Sequence, residues 1–474
     1  MSVPGTPDGT GGQAVRDTAP PVDLAAAEAA VDDELDQALA LANARRDPVR
    51  HAAATPRAEG DGRAPHAPQD TDIPHPPHAP HAGRGTSWPE ARRIAAAAAS
   101  PLRRVLTPLG QALGSALAEP LVALTDLPSF DTSAMDGWAV AGPGPWRPEG
   151  RVLAGERART ALPDGHATGI ATGALLPAGT TAVLRSEHSR VGPDGLLHAT
   201  RGAPGPGQDV RPRGQECRSG DELLAAGVLV TPAVLGLAAA AGYDELPVRV
   251  RPTVEILVIG DELLDRGLPG SGRVRDALSP LLPAWLDALG ADVVAVRRLK
   301  DDADLMREAV TASTADLVVT TGGTASGPVD FVHLVLSGIG ARLLVDGVAV
   351  RPGHPMLLAE LPGEKGHLVG LPGNPLAAVS GVLTLIVPLV RKLAGRPAPT
   401  PSAARLTGDV PGHPVDTRLV PVLMDEESQA VPLRFSGPAM LRGIATADGM
   451  AVIPPGGAAK GDITAVLETG WGRL

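Results

Sequence analysis

Several short stretches combine side chains able to do chemistry with the turn residues that would fix them. In Phe130-Asp-Thr-Ser-Ala-Met-Asp-Gly-Trp138, two carboxylates, two hydroxyls and a glycine fall within nine residues. That fits a ligand-facing loop, and it fits an Asx-type turn as well. Ile259-Gly-Asp-Glu-Leu263 sets two acidic groups directly after an apolar run. There they can coordinate Mg2+ or cap the following turn. Thr320 to Asp330, TTGGTASGPVD, offers the backbone N–H groups of Gly322 and Gly323 to an anion. Hydroxyls of Thr320, Thr321, Thr324 and Ser326 stand beside them. The stretch matches neither GxxxxGK[ST] nor GxGxxG. Val369-Gly-Leu-Pro-Gly-Asn-Pro375 reads as a strand, a rigid turn and a helix start, whose N-terminus would present partial positive charge. Asn374 and Ser380 are further donors there. Arg351-Pro-Gly-His-Pro355 adds a guanidinium suited to an oxyanion. GxSxG does not occur, so a Ser/His/Asp triad has weak support, and His354 reads as a loop residue or a base.

The elements that would position these groups follow from periodicity. SWPEARRIAAAAAS (87–100) predicts a helix with Ser87 as N-cap, Pro89 in the first turn and Glu90 completing a capping box. Residues 120–209, rich in Gly and Pro with short apolar runs at 150–153 and 182–184, predict a small β-rich module. A helix over 234–241 ends at Gly242. From residue 253 the rhythm changes. Strands at 253–260, 291–299 and 315–323 alternate with helices at 277–289, 302–312 and 329–339. Such alternation predicts a parallel sheet with right-handed crossovers, and ligands bind at the carboxyl ends of its strands. Beyond about residue 400 short strands and turns return.

Composition narrows the class. The chain has 474 residues, with 57 Gly, 49 Pro and only 2% aromatic residues, so its cores must be built from Ala, Val and Leu. Length suggests about three domains. A net charge of −11 argues against nucleic acid as the main partner. Cys217 is the only cysteine, which excludes an internal disulfide and a cysteine-rich metal site. The first residues lack a basic segment followed by an apolar one, and the apolar stretch 379–390 is read as too short to span a bilayer. A cytoplasmic protein, with no nucleic-acid or membrane partner, is the expectation. Residues 1–86 have the composition of a disordered tail: His66, His75, His78 and His81 alternate with proline and read as solvated, not as a metal tract. Within it, 22–46 is helical in pattern, with Leu24, Val31, Leu35 and Leu39 near one face.

LPSFDTSAMDGWAV, IATGALLPAGTTAVLRSE, GQDVRPRGQ, GDELL, DLVVTTGGTASGPVDF, VRPGHP and GLPGNPLAAV occur in that order. From about Ser87 to the end, the chain resembles the molybdopterin molybdenumtransferase family, which includes the C-terminal domain of gephyrin. The resemblance implies an elongated homodimer with four domains per chain, of mixed α/β and β class. The boundaries would be 1–86 for the tail and 87–127 with 210–251 for a discontinuous dimerisation domain. A β-rich domain would occupy 128–209, a three-layer α/β molybdopterin-binding domain 252–398, and a C-terminal β-barrel-like domain 399–474. It further implies insertion of molybdenum from molybdate into adenylylated molybdopterin with release of AMP, assisted by Mg2+. The site would lie between the α/β domain of one subunit and the N-terminal domains of the other, with other cofactor-biosynthesis proteins as partners upstream.

Carried over by motif, the functional positions are Asp136, Thr172, Glu216, Glu262, Asp301 and Asp330. Of these, Glu262, Asp301 and Asp330 would hold the metal. Thr321, Gly322, Gly323, Thr324, Ser326, Arg351, Pro372, Gly373, Asn374 and Pro375 would line the substrate. The chain departs from the family pattern at Thr132 and Trp138, where Asn and Tyr are usual. Val258 and Ile259 replace Ser-Thr, Ala325 replaces Ser, and Gly347 and His354 replace lysines. Glu216 replaces Asp, and Ser436-Gly-Pro-Ala439 replaces QGSG. Each lost charge-assisted hydrogen bond costs about 1.5–3 kcal/mol. An alternative is therefore a paralogue that binds molybdopterin or a protein partner without inserting metal.

Overall fold

The computed structural model describes residues 85–157, 160–324, 331–363 and 365–471. The histidine-proline tract, the helical pattern at 22–46, and Ala325, Ser326 and Asp330 lie outside them.

Helix α1, Trp88–Ala97, begins where Ser87 and Pro89 predict. Ser87 makes no side-chain cap bond, and Glu90 reaches forward to Arg93 instead of back to its own N-terminus, so no capping box forms. The first turn is held by tertiary contact. The Trp88 indole donates to Thr384 Oγ1 at 3.0 Å across a buried interface. Next, Arg104–Pro108 pairs antiparallel with Glu245–Arg249, and Leu121–Val122 with Glu222–Leu224. Helix α2, Pro232–Ala240, is capped by Thr231 Oγ1, which accepts from the Val234 N–H. Leu117, Leu121, Val234 and Leu246 share one core, so segments on both sides of residues 128–209 fold together. Between them lies a four-stranded sheet, Arg147–Val152, His166–Ile170, Gly137–Val140 and Ala182–Arg185, in that spatial order.

The six-stranded sheet positions the loops of interest. Its strands are β1 (Thr253–Ile259), β2 (Asp292–Leu299), β3 (Leu317–Thr321), β4 (Arg342–Asp346), β5 (Leu357–Glu360) and β6 (His367–Leu371). The order is β2-β1-β3-β6-β5-β4. The first four are parallel, as the alternation predicts. The β6–β5 and β5–β4 pairs are antiparallel, which the alternation did not reveal because two short connections replace crossover helices. Helices α4 (Ala303–Ala312) and α5 (Phe331–Gly338) bury Met306, Val310, Val332 and Leu336 on one face. Helix α3, Leu278–Ala288, and helix α6, Pro375–Leu393, cover the other, with α1 packed against α6.

Helix α6 corrects an expectation. It runs Pro375–Leu393, 19 residues with mean hydropathy 1.8, so it is long and apolar enough to cross a bilayer. Yet 89% of that window is buried inside the protein, and burial on all sides is what its composition serves. The turn Val382–Ile386 widens to a π-helix just ahead of Pro388, which has no N–H to return to Thr384.

Val348–Arg351 leaves the six-stranded sheet. It pairs in parallel with Thr417–Met424 and with Thr86–Ser87, joining a seven-stranded sheet completed by Gly449–Ile453, Ile463–Glu468, Ser402–Arg405 and Ala430–Pro432. The Arg351 turn is thereby tied to the C-terminal β region.

His367 in β6 ties α1 to the sheet, its Nε2–H donating to the Ala98 carbonyl at 3.1 Å. Burial pushes its pKa below the ordinary 6.5. Between those two values the unfolded chain binds the extra proton, so stability falls as pH drops below about 6.5. Urea midpoints at pH 7.5 and 5.5 should differ more in the wild type than in His367→Gln, which can still donate. An equal difference in both proteins would exclude His367 as a source of the pH dependence.

Candidate functional site

Two groups of predicted residues come together, on different sheets. The first is the Asp136–Thr172 pair. Thr132–Ser133 pairs antiparallel with Val210–Arg211, and the Ser133 hydroxyl donates to the Met135 carbonyl at 2.6 Å, closing the loop that ends at Asp136. Gly137 follows because an added Cβ would lie 2.2 Å from the Leu184 carbonyl. Asp136 Oδ1 accepts the Thr172 backbone N–H at 2.7 Å and its hydroxyl at 3.0 Å. These bonds, the backbone one foremost, hold the carboxyl below its ordinary 3.8 despite some desolvation, with Arg151 assisting. The anchoring is thus a long-range bridge, not the local Asx turn that the sequence also allowed. Glu216 sits on another exposed loop, its N–H donating to the Leu127 carbonyl at 2.8 Å.

The second group lies along the carboxyl edge of the six-stranded sheet. Ile259 pairs with Leu299, Val258 with Thr321, and Thr321 with Leu371. That register sets the loops after β2, β1, β3 and β6 side by side, bringing Asp301, Asp261-Glu262, Gly322-Gly323-Thr324 and Pro372-Gly373-Asn374 to one edge. Asp301 Oδ2 accepts the Asp261 N–H at 3.2 Å, which joins the acidic loops. Asp261 and Glu262 are exposed and Asp301 is half-buried. These hard oxygen donors suit Mg2+. Among the described residues no cluster of three metal-ligating side chains forms.

Gly322 shows why glycine is needed. Its φ is +87°, and a Cβ there would approach the Ile259 carbonyl to 3.0 Å. Its N–H, read from sequence as an anion donor, is already given to the Leu371 carbonyl at 2.9 Å. Gly322 therefore locks the β3 loop to the β6 loop. Thr320, Thr321 and Thr324 are buried as well, at 0%, 2% and 4% exposure, so their hydroxyls do not line an open surface. Ser380 is equally internal, its hydroxyl donating to the Leu376 carbonyl at 3.1 Å.

The helix start after Asn374 also differs from expectation. Asn374 is the N-cap but makes no side-chain cap bond. The N–H groups of Leu376 and Ala377 donate to the Pro438 carbonyl at 2.9 and 3.2 Å. The Ser436-Gly-Pro-Ala439 segment thus caps α6 with an oxygen where the sequence suggested a place for an anion. Sequence reasoning missed Pro438, because no local signal links it to a helix start some sixty residues earlier.

Arg351 stands on the neighbouring sheet, and its Nε donates to Asp416 Oδ2 at 3.0 Å. Its turn reaches α6 through Gly353, where a Cβ would meet the Ala377 carbonyl at 3.0 Å. His354 Nδ1 donates to the Val348 carbonyl at 2.7 Å, and its ring packs beside Gly347. The two positions where lysines were expected are therefore adjacent in space. Val258 and Ile259 are buried at 1% and 6% exposure in the cores on opposite faces of the sheet, so their lost hydroxyls were not on an open strand end.

Comparison with known proteins bears on the family of the chain as a whole. Residues 86–242 match a family model described as the MoeA N-terminal region (domain I and II). Residues 255–392 match one described as a probable molybdopterin binding domain, and residues 403–468 the MoeA C-terminal region (domain IV). A molybdopterin molybdenumtransferase of Synechococcus elongatus is 34% identical over 313 residues, covering 63% of this chain and 77% of that protein. Molybdopterin molybdenumtransferase 2 of Mycobacterium tuberculosis is 34% identical over 390 residues, covering 77% and 94%. The crystal structure of a molybdopterin biosynthesis moea protein from Pyrococcus horikosii superposes with TM-score 0.65 at 27% identity, covering 81% of this chain and 99% of that one.

Gly322→Ala should destabilise the protein by roughly 1–3 kcal/mol, through the left-handed backbone and the Ile259 carbonyl together. Gly373→Ala, whose added Cβ meets only Gly322 Cα at 3.8 Å, should cost less. Equal urea midpoints for the two variants would refute the locking role of Gly322.

Proposed function

The chain belongs to the molybdopterin molybdenumtransferase family, and we propose that it moves molybdenum from molybdate into adenylylated molybdopterin, releasing AMP. It is a transferase of molybdenum-cofactor biosynthesis. The observation that carries the reading is the in-register parallel pairing that sets Asp301, Glu262, Gly322 and Pro372 along one edge.

In this reading Asp301 and Glu262, with Asp330 from outside the described residues, hold Mg2+. The ion, when bound, draws charge from the pyrophosphate of the adenylylated substrate. The chain's own groups do the positioning. The loops at Gly322-Gly323 and Pro372-Gly373-Asn374 shape the floor against which the pterin lies. Arg351 meets oxyanion oxygens with its guanidinium. Asp136, kept ionised by Thr172, accepts no bond at Oδ2 among the described residues and can take a donor from the substrate.

The Asp136 pair and the acidic edge belong to different sheets, which supports a site completed by a second subunit. Exposed Leu106, Leu113 and Leu124 near the Arg104–Pro108 ribbon support a homodimer through that region. The four-domain division at 87–127 with 210–251, 128–209, 252–398 and 399–474 is part of the same reading, supported by four cores that each lie within one segment. The largest core joins Trp88 and Ala91 of the first segment and Leu419 and Met450 of the last to the 252–398 segment. So are a cytoplasmic setting and upstream partners that deliver the adenylylated pterin. The paralogue without metal insertion is not favoured: Val258 and Ile259 are core positions, and the relatives are named as transferases.

The purified protein should release AMP from adenylylated molybdopterin only with both molybdate and Mg2+ present. Asp301→Asn and Glu262→Gln should each lower the rate at least about 100-fold with unchanged unfolding temperature. Well-folded wild-type protein that releases no AMP would end the proposal. Asp136→Asn should likewise lose activity while unfolding as the wild type does. Full activity in that variant would remove Asp136 from the site.

A further inference from the structure

Arg351 is fixed by a residue that no motif marks. Val348–Arg351 pairs in parallel with Thr417–Met424, Val350 opposite Thr417 and Arg351 opposite Arg418. This register sets Asp416, one residue before that strand, beside the Arg351 side chain. Asp416 Oδ2 accepts from Arg351 Nε at 3.0 Å, with the Asp416 side chain 11% exposed and that of Arg351 40% exposed.

The other charged groups nearby are engaged differently. His413 Nδ1 accepts the backbone N–H of Asp416 at 3.0 Å and that of Val415 at 3.4 Å. A ring nitrogen accepting those bonds cannot also donate to the carboxylate, so its 3.4 Å approach to Asp416 Oδ2 is not an ion pair while the ring is neutral. His413 instead fixes the turn that delivers Asp416. Arg418, the next cation on the strand, donates to the Pro411 carbonyl at 2.8 Å. Arg351 therefore supplies the charge that compensates the Asp416 carboxylate.

We infer that Asp416 is a positioning residue for the transferase reaction, acting through Arg351. A bond at Nε fixes the plane of the guanidinium and the direction in which it meets an oxyanion. Ordering a long, half-exposed arginine costs rotamer freedom, and a bond that orients it beforehand removes part of that cost from the binding step. The C-terminal β region thus contributes to the oxyanion contact without touching it. The inference rests on the reading of Arg351 as that contact.

The test is calorimetric binding of molybdate alone to the full chain, which needs no turnover. Asp416→Asn keeps the shape and loses the charge, and it should weaken molybdate binding about five- to tenfold with unfolding temperature unchanged. In an Arg351→Gln background the same substitution should add nothing, because the effect runs through the guanidinium. Asp416→Glu, which retains the charge, should keep most of the affinity, and it serves if the asparagine variant does not fold. If Arg351→Gln weakens binding while Asp416→Asn does not, or if Asp416→Asn still weakens it once Arg351 is gone, the inference alone is overturned. If Arg351→Gln leaves binding unchanged, the reading of Arg351 fails and the inference falls with it.

Discussion

The rest of the structure depends on the parallel hydrogen bonding of β2, β1, β3 and β6. Parallel strands all point one way, so their carboxyl ends, and every loop that follows them, emerge at one edge. All seven residues of β1 but Thr253 are buried, and all five of β3 and of β6 are. A strand buried on both faces cannot slip by one residue without exchanging its two sets of core contacts. Register is therefore held by packing on both sides, and with it the spacing of the loops. The candidate loops inherit their geometry from a core that contains none of their proposed chemistry.

The same constraint explains why polar residues near the edge are not all available to a ligand. Close to where the strands end, the backbone is still completing the sheet. Gly322 gives its N–H to Leu371, and the threonines around it are buried. Asp261, Glu262 and Gly373, two or three residues beyond the ladder, are exposed. The division between core and site falls within a single motif.

A second organising fact is that the C-terminal β region is built into the α/β region. It receives Val348–Arg351 as a strand, supplies Asp416 to Arg351, and caps α6 with the Pro438 carbonyl. Helix α6 is buried almost throughout, and a buried helix end cannot leave its N–H groups unpaired. The SGPA segment meets that requirement.

Much of this was legible in the sequence because it is local. The apolar run 253–259, the helix stop at Gly290 and the glycines after β3 announce strands, crossovers and tight turns through period and backbone freedom alone. Ordered motifs, read as a family likeness, named the family and its reaction class, and they proposed Asp136, Thr172, Glu262, Asp301 and Arg351 as site residues. Burial and partnership were not legible, because they depend on residues far apart in the chain. Nothing in TTGGT says that its hydroxyls face inward, nor does RPGHP name Asp416. Likewise the apolar stretch around residue 385 reads the same whether lipid or protein surrounds it. By itself the sequence determined which elements form and which residue types reach the sheet edge, since propensity and periodicity act over a few residues. Only the tertiary structure decided which of those groups are already spent on holding the fold and which remain for a substrate, because a hydrogen bond made inside the protein is no longer available outside it.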